Sequence, residues 1–394
     1  MDDSIAEPRI AAAKRWTWRI PAYILLPFYL MLIGVALRYA VYVRLTGHWG
    51  FSDYLRALCV YDCNAYERLA LNGYEGRPSG FDKGDANNWA FFPVFSIMVW
   101  ALNKLTGLSM LVGGSILSLL LTVWGAIISW PLFERKFRAY FLFCFFLFLG
   151  PFSYYFNTLY TESLFILLTC AGFVMLRRGD YVMAGVAGLF LSATRSTGLL
   201  FAPAILIGAF QNHMRDGGRP LDFFKTLWKR TDLMLAVALV PVGLSVFAIY
   251  LYLHSGDALA FVHIQRAWGR TFQNPFGNLW QSLTVQFLTN KNYSSISTDL
   301  AFGLAAVAGI ALSAAMAWRG KWDWAIFSLF AVLLPLSTNT YSMLRFVVGI
   351  APVLIMAAIL GAERKWLFYL LLPALLVLDV MLLPTWTGRS YYLM

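Results

Sequence analysis

Carboxylate and guanidinium side chains stand at five points of this sequence whose neighbours are mostly apolar. Asp62 and Glu162 supply the carboxylates, and Arg195, Arg270 and Arg345 supply the guanidinium groups. A carboxylate can accept the proton of a hydroxyl group, and a guanidinium group can hold a phosphate through paired hydrogen bonds. Brought together, these residues could activate a hydroxyl nucleophile beside a phosphate-bearing molecule.

Aromatic and amide side chains accompany the charged residues. Their rings could stack on a sugar or line a lipid groove, and their amides could hydrogen-bond to a polar substrate. They occur in the segments YDCNAYERLALNGY, YFNTLYTESLF and FVHIQRAWGR. The candidate substrate contacts are Tyr66, Asn157, Tyr160, Gln265 and Trp268.

Asp62 also has a structural interpretation. Tyr66, Leu69, Ala70 and Gly73 form one apolar face at helical spacing, and an acid just ahead of such a helix can cap its first amides. The helix could lie along the membrane surface with its apolar side down. Spacing alone leaves both interpretations of Asp62 open, a cap and a base.

The arginines have structural alternatives as well. An isolated arginine deep in lipid is costly and typically faces a cavity or a partner, but Arg195 and Arg345 could instead reach the interface or form structural ion pairs. The segment around Arg270 is also typical of an interfacial helix with a tryptophan anchor. His263 is left out of the chemistry, because a lone histidine is more often structural.

Composition places all these groups in a membrane protein. Of 394 residues, 60% are hydrophobic and only 13% are charged, whereas charged residues make up roughly 25% of an ordinary soluble domain. Apolar runs able to cross a hydrocarbon layer of ~30 Å recur from Ala22 to the C-terminus, so most backbone groups must be satisfied within helices. We expect an all-α polytopic membrane protein with no soluble catalytic domain.

The apolar runs predict about eleven transmembrane helices. They cover residues 22–45, 108–132, 137–151, 159–177, 181–194, 197–211, 232–254, 300–318, 323–337, 343–361 and 366–384. With a cytoplasmic tail over residues 1–21, alternation of these spans places most basic connections on the cytoplasmic side, as the positive-inside rule requires. The net charge of +11 therefore indicates membrane orientation, and no basic stripe with interleaved aromatics favours nucleic acid as a partner.

Two long extracytoplasmic loops remain, 46–107 and 255–299. Their aromatic content favours structured segments with interfacial helices over disorder. We assign 90–105 to the outer interface or to a partly inserted helix, because a full span there would invert every later segment. No repeat or linker divides the chain, so residues 1–394 are predicted to form one transmembrane domain.

The cysteines and known motifs narrow the function further. Cys144 and Cys170 lie in apolar runs, where cysteine acts as a small hydrophobic residue. Cys59 and Cys63 could be bridged in an oxidising compartment, but two free thiols are the favoured expectation.

The sequence has no Walker loop, dinucleotide glycine motif or Cys/His zinc pattern, so we expect no cofactor and metal-independent chemistry, while a metal requirement stays open.

Six segments, in order, resemble the GPI mannosyltransferase 2 (phosphatidylinositol glycan class V) family and its bacterial relatives. They are YDCNAYERLALNGY, NNWAFFPVFSIMVWAL, YTESLFILL, ATRSTGLLFAP, QRAWGR and SMLRFVVGIAPVLI, within residues 61–356. The resemblance implies a GT-C glycosyltransferase fold that uses polyprenyl-phosphate sugars as donors. Tyr61 stands where the family often has Trp, and the segment FFPVFSIM lacks the second Pro that often follows Phe-Phe-Pro in the family, so subfamily and acceptor stay open.

The resemblance also implies roles for individual residues. Asp62 would be the general base and Glu162 a second acid of the outer site. The donor phosphate would be held by Arg195, Arg345 and Arg270. The implied reaction is inverting transfer of mannose from polyprenyl-phosphate-mannose to a hydroxyl of a lipid-linked or glycan acceptor, on the extracytoplasmic face of a bacterial inner membrane. Mannose rests on the resemblance alone.

A transporter or flippase of a lipid-linked or phosphorylated substrate is the alternative. Such a protein would also have many spans and buried arginines. Transporters typically show internal repeats and broken helices near the midplane. This sequence shows no repeat, and its polar residues gather at one predicted face, which favours the enzyme.

Overall fold

A computed structural model describes residues 20–76, 88–288 and 293–388. Most of the predicted cytoplasmic tail, residues 1–19, lies outside the described residues. The described ranges contain eighteen α-helices and no β-strand, which confirms the predicted all-α class. In chain order the first nine helices are α1 (Ala22–Thr46), α2 (Phe51–Leu58), α3 (Asp62–Asn72), α4 (Pro93–Thr106), α5 (Met110–Ser129), α6 (Phe137–Leu149), α7 (Glu162–Arg178), α8 (Tyr181–Thr194) and α9 (Phe201–Arg215).

The second half of the chain continues the same pattern of apolar helices and short connections. Its helices are α10 (Pro220–Thr226), α11 (Thr231–Ser255), α12 (Ala260–His263), α13 (Pro275–Leu288), α14 (Tyr293–Trp318), α15 (Trp322–Leu336), α16 (Met343–Val348), α17 (Ala351–Glu363) and α18 (Lys365–Thr387). Short 3₁₀ segments link several of them, including 153–156, 196–200 and 264–268.

Within the described residues, five segments are long and apolar enough to cross a membrane, so the chain is an integral membrane protein. They are Ala22–Thr46, Met110–Phe133, Thr231–Ser255, Thr298–Trp318 and Lys365–Thr387. Four shorter apolar helices, α6, α8, α15 and α17, accompany them. At 1.5 Å per residue a helix of about fourteen residues reaches only ~21 Å, so the number of spans, eleven, stays a prediction.

The predicted span 343–361 is broken into α16 and α17. Ile350 has an extended backbone, and Pro352 lies in the first turn of α17. Proline has no N–H to bond the carbonyl four residues before it, so the helix stops and restarts here. Gly349 and Ile350 thereby become part of a cavity wall, and α16 can direct its own side chains at that cavity.

Most of segment 90–105 lies in a separate helix, α4 (Pro93–Thr106). Pro93 opens the helix and Gly107, in a left-handed conformation, ends it. Ser96 on α4 donates a hydrogen bond of 3.3 Å to the backbone carbonyl of Tyr66, so α4 supports α3. How α4 sits in the bilayer stays a prediction, as does the division into two outer loops.

A buried polar contact joins the first and last helices beside the turn that leads to α7. Arg38 on α1 lies 3.6 Å from Asp379 on α18 and donates a hydrogen bond of 2.8 Å to the carbonyl of Phe148. Ser153 donates a hydrogen bond of 2.9 Å to Asp379. These bonds fix the 3₁₀ segment 153–156, which precedes the predicted site residues Asn157, Tyr160 and Glu162.

Candidate active site

Asp62 stands at a sharp change of direction between α2 and α3. Tyr61, the residue before it, has a φ of 52°, a left-handed value that few residues other than glycine adopt. Trp386 donates a hydrogen bond of 2.9 Å to the carbonyl of Leu58, and Tyr160 donates one of 2.9 Å to the carbonyl of Val60. The connection is therefore held from α18 and from the turn before α7.

Cys59 and Cys63 are joined by a disulfide bond, so the expectation of two free thiols is wrong. The i, i+4 spacing left both states open, and the fold decides because the turn at residues 59–61 brings the two Cα atoms to 5.1 Å. Both cysteines are fully buried. Asp62 is therefore one of the three residues between the bonded cysteines.

The Asp62 carboxylate does not cap its helix. Asp62 is the first residue of α3, one place after the cap position, and Tyr61 at the cap position makes no side-chain capping hydrogen bond. Instead Asp62 Oδ2 accepts a hydrogen bond of 2.5 Å from Arg345 Nη1. The carboxylate is about one quarter exposed and lines a cavity, a position that a general base requires.

Glu162 lies behind that cavity and bridges two arginines. Its Oε1 atom is 3.2 Å from Arg195 Nη2 and 3.0 Å from Arg345 Nε. Glu162 is fully buried, and neither of its oxygens accepts a hydrogen bond within the described residues. Charge attraction therefore holds this cluster, and Glu162 acts on the cavity through the arginines that it contacts.

Three guanidinium groups surround one aromatic ring. The guanidinium carbons of Arg195, Arg345 and Arg270 lie 5.3, 5.2 and 5.6 Å from the centroid of the Phe346 ring. Cations are attracted to the face of an aromatic ring at such distances. Phe346 therefore organises the positive side of the cavity, although nothing in the sequence singles it out except its place after Arg345.

The second outer loop contributes Arg270 to the same cluster. Its Nη1 atom donates a hydrogen bond of 3.3 Å to Gln265 Oε1, and its guanidinium pairs with no carboxylate among the side chains that the structure describes. Burial first, and then the nearby Arg345 charge, lowers the pKa of Arg270 to about 10. Arg270 is thus still cationic at neutral pH and lacks an anionic partner.

A cavity of about 420 Å³ joins these groups. Its lining includes the polar side chains of Asp62, Thr194, Arg195, Ser196, Thr197, Gln265, Arg270, Ser337, Thr338, Ser342 and Arg345. The lining also includes aromatic and aliphatic side chains, among them Tyr66, Phe91, Phe92, Phe165, Phe261, Trp268, Phe272, Leu334, Pro335, Phe346 and Ile350. The cavity could accept a phosphate with a sugar beside an apolar chain.

The remaining predicted residues divide into lining and supporting groups. Tyr66 lines the cavity, and burial, followed by the Asp62 charge, raises its pKa to about 12, so the phenol keeps its proton at neutral pH. Asn157 and Tyr160 do not line the cavity, which differs from the substrate contact expected for them. Asn157 donates a hydrogen bond of 3.0 Å to Tyr54, and the Tyr160 ring lies 5.3 Å from the Arg345 guanidinium carbon.

The charges of the site are unbalanced. Among the charged side chains that the structure describes here, three arginines, Arg195, Arg270 and Arg345, accompany two carboxylates, Asp62 and Glu162, so one formal positive charge is in excess. An anionic ligand would neutralise that charge in a partly dry environment, where electrostatic attraction is strong. No group of three or more His, Cys, Asp or Glu side chains that could hold a metal occurs in the described ranges.

Comparison with known proteins gives a likeness of fold to solved structures. Protein-family models and curated proteins gave no match, so the resemblance to GPI mannosyltransferase 2 stays a prediction. Among solved structures, ArnT from Cupriavidus metallidurans bound to undecaprenyl phosphate is similar, with 16% identity and a TM-score of 0.49 over 84% of this chain. The match covers 60% of ArnT, so this chain spans less than two thirds of that protein.

Proposed function

We propose that this protein is an inverting GT-C glycosyltransferase that moves a sugar, mannose by family resemblance, from a polyprenyl-phosphate donor to an acceptor hydroxyl. The acceptor is a lipid-linked or glycan molecule. The observation that carries the proposal is the cavity in which a partly exposed carboxylate, Asp62, faces the unpaired cation of Arg270. A base and a phosphate-binding cation in one cavity are what this transfer needs.

Asp62 acts as the general base in this reaction. It accepts the proton of the acceptor hydroxyl while the hydroxyl oxygen bonds to the anomeric carbon of the sugar. The bond between that carbon and the phosphate oxygen breaks on the opposite face, so the anomeric configuration inverts. Polyprenyl phosphate leaves with the electron pair.

The arginines hold the donor phosphate and stabilise the charge that grows on it as the bond breaks. Arg270 provides the free cation, while Arg195 and Arg345 each share their charge with Glu162. Fixed cations beside a developing anion lower the barrier without reorganisation during the reaction. Gln265, Trp268 and Tyr66 lie where they would contact the sugar, and Asn157 and Tyr160 support the cavity from behind.

A lipid-linked donor is compatible with a site at the membrane surface. A polyprenyl phosphate keeps its chain in the bilayer, and the apolar wall at Phe272, Leu334 and Pro335 offers that chain a route out of the cavity. Because disulfides persist in oxidising compartments, the Cys59–Cys63 bond supports an extracytoplasmic site and a cytoplasmic N-terminus, in a bacterial inner membrane. The reaction as written needs no metal or cofactor, and nucleic acid is not a partner.

Purified protein incubated with polyprenyl-phosphate-linked mannose, glucose and pentose donors and a membrane lipid extract tests this proposal. With the donor sugar radiolabelled, we expect the sugar of one donor to be transferred to an acceptor, with its anomeric configuration inverted. Retention of configuration would contradict the single displacement. Donor binding followed by translocation of the intact donor, without transfer, would instead favour the flippase.

A further inference from the structure

The disulfide between Cys59 and Cys63 lies immediately beside the candidate base. The bond links the residue after α2 to the second residue of α3, and Asp62 is the residue directly before Cys63. Neither cysteine lines the cavity, and both are buried. Cys63 Sγ also lies 3.1 Å from Thr158 Oγ1, which ties α3 to the turn before α7.

Tyr61, within the loop that the disulfide closes, has an unfavourable backbone conformation. Its φ of 52° and ψ of −122° lie outside the regions that residues with a β-carbon favour, and such conformations persist only where the surroundings enforce them. Tyr61 directs the chain into α3, so a change in its backbone angles would swing the Asp62 carboxylate. The disulfide closes the five residues 59–63 around this point.

We propose that the Cys59–Cys63 disulfide is a positioning device that holds the Asp62 carboxylate at the cavity wall, so that its reduction lowers turnover and leaves donor binding largely intact. The inference rests on the proposed role of Asp62 as base. The loop that the bond closes is short, and the stabilisation that a disulfide gives through chain entropy grows with loop length. Its main effect is therefore local.

Among the arginines that bind the donor phosphate, Arg345 contacts Asp62 and is held also by Glu162, whereas the other two are anchored away from the disulfide. Gln265 and Arg270 are carried by the segment after α12 and are joined to each other, and Arg195 is held by Glu162. Opening the disulfide leaves these contacts in place. Reduction by dithiothreitol delivers two electrons and two protons to the bond, which gives two thiols while the reagent closes to its own cyclic disulfide.

The test compares wild type, Cys59→Ala/Cys63→Ala and a matched control, Cys144→Ala/Cys170→Ala, which removes the two buried free thiols. Mass spectrometry of non-reduced peptides should find the bond in wild type. We expect kcat to fall about 100-fold in the first variant, because a shift of ~1 Å can cost that much, with the donor Kd within about twofold. The control should keep its kcat within about twofold.

A second arm uses wild type alone, in case the double variant does not fold. Reduction should lower kcat, and reoxidation should restore it. Free thiols in untreated protein, an unchanged kcat after the bond is lost, or an equal loss of donor binding would each overturn the inference. If oxidised wild type transfers no sugar, the proposed function fails instead. Hydrogen exchange at residues 58–64 then tests whether the disulfide holds this segment in place. Reduction should speed amide exchange there at least tenfold, and unchanged exchange would contradict the positioning role.

Discussion

Arg345 Nη1 donates a hydrogen bond of 2.5 Å to Asp62 Oδ2 across 283 residues of sequence. The same guanidinium group lies 3.0 Å from Glu162 through its Nε atom. One arginine thus links the partly exposed carboxylate of the cavity to a fully buried one. The donor phosphate and Asp62 would compete for Arg345, so phosphate binding would free the carboxylate for the acceptor.

Arg345→Lys should lower transfer at least 100-fold. A lysine ammonium is a single compact charge and lacks the planar fork that contacts two carboxylates at once. Arg345→Ala should also destabilise the protein by about 3 kcal/mol, because it leaves Glu162 buried without one of its partners. Transfer assays and thermal unfolding in detergent measure both effects. Equal melting temperatures for wild type and Arg345→Ala would contradict the bridge.

Glu162→Gln should lower turnover by about tenfold, much less than removal of the base. Glu162 does not line the cavity, so its loss acts only through the orientation of Arg195 and Arg345. Kinetics with saturating acceptor check this, with Glu134→Gln as the control, because Glu134 forms ion pairs outside this site. A loss for Glu162→Gln as large as that for Asp62→Asn would assign Glu162 a direct role in the chemistry.

Arg270→Ala should weaken donor binding by about 10-fold to 100-fold, since a hydrogen bond to a charged group contributes roughly 1.5–3 kcal/mol. Arg266→Ala is the matched control, because Arg266 lies in the same loop, is exposed and does not line the cavity. Donor Kd values from titration decide. Equal Kd values for the two variants would remove Arg270 from phosphate binding.

Donor binding should also depend on pH through Arg270. Its pKa of about 10 lies below the ordinary value, so the group is charged below pH 10 and neutral above it. Wild-type affinity should therefore be constant from pH 7 to 9 and fall as the pH rises through about 10. The fall should be absent in Arg270→Ala and shifted in Arg270→Lys. A wild-type profile that stays flat to pH 11 would contradict this assignment.

Phe346→Leu should raise the donor KM several-fold with little change in stability. Leucine keeps most of the volume but has no aromatic face, and a cation at such a face gains about 0.5–2 kcal/mol. Phe330→Leu is the control, since Phe330 is exposed on α15 and is not part of the cavity. Phe346→Tyr keeps an aromatic ring, so its donor KM should lie closer to the wild-type value than that of Phe346→Leu. Equal KM values for the two variants would mean that Phe346 contributes only through packing.

The helices were predictable where the sequence marks both their ends. The long apolar runs of α1 and α11 stop at polar residues and glycine, so their predicted bounds match the structure closely. The break before α17 was missed, because the run continues as apolar residues through Gly349 and Ile350. Proline inside an apolar run can start a new helix as well as kink one, and only the packed fold decides.

The site was predictable as a set of residue types and not as a set of contacts. Membrane topology placed Asp62, Glu162 and the arginines at one face, but the hydrogen bond from Arg345 to Asp62 depends on how α3 and α16 pack. Phe346 is one of 32 phenylalanines, and no pattern distinguishes it. Whether Cys59 and Cys63 form a disulfide depended on the backbone angles of the turn between them, which the sequence does not predict.

Single-turnover transfer by Asp62→Asn, beside wild type and with donor binding measured on the same samples, tests the central claim most directly. Asparagine keeps the shape of the side chain and cannot accept the proton. We predict a donor Kd within about threefold of wild type and a transfer rate at least ~1,000-fold lower. Transfer at the wild-type rate by folded Asp62→Asn would contradict the account, because the base would then lie elsewhere.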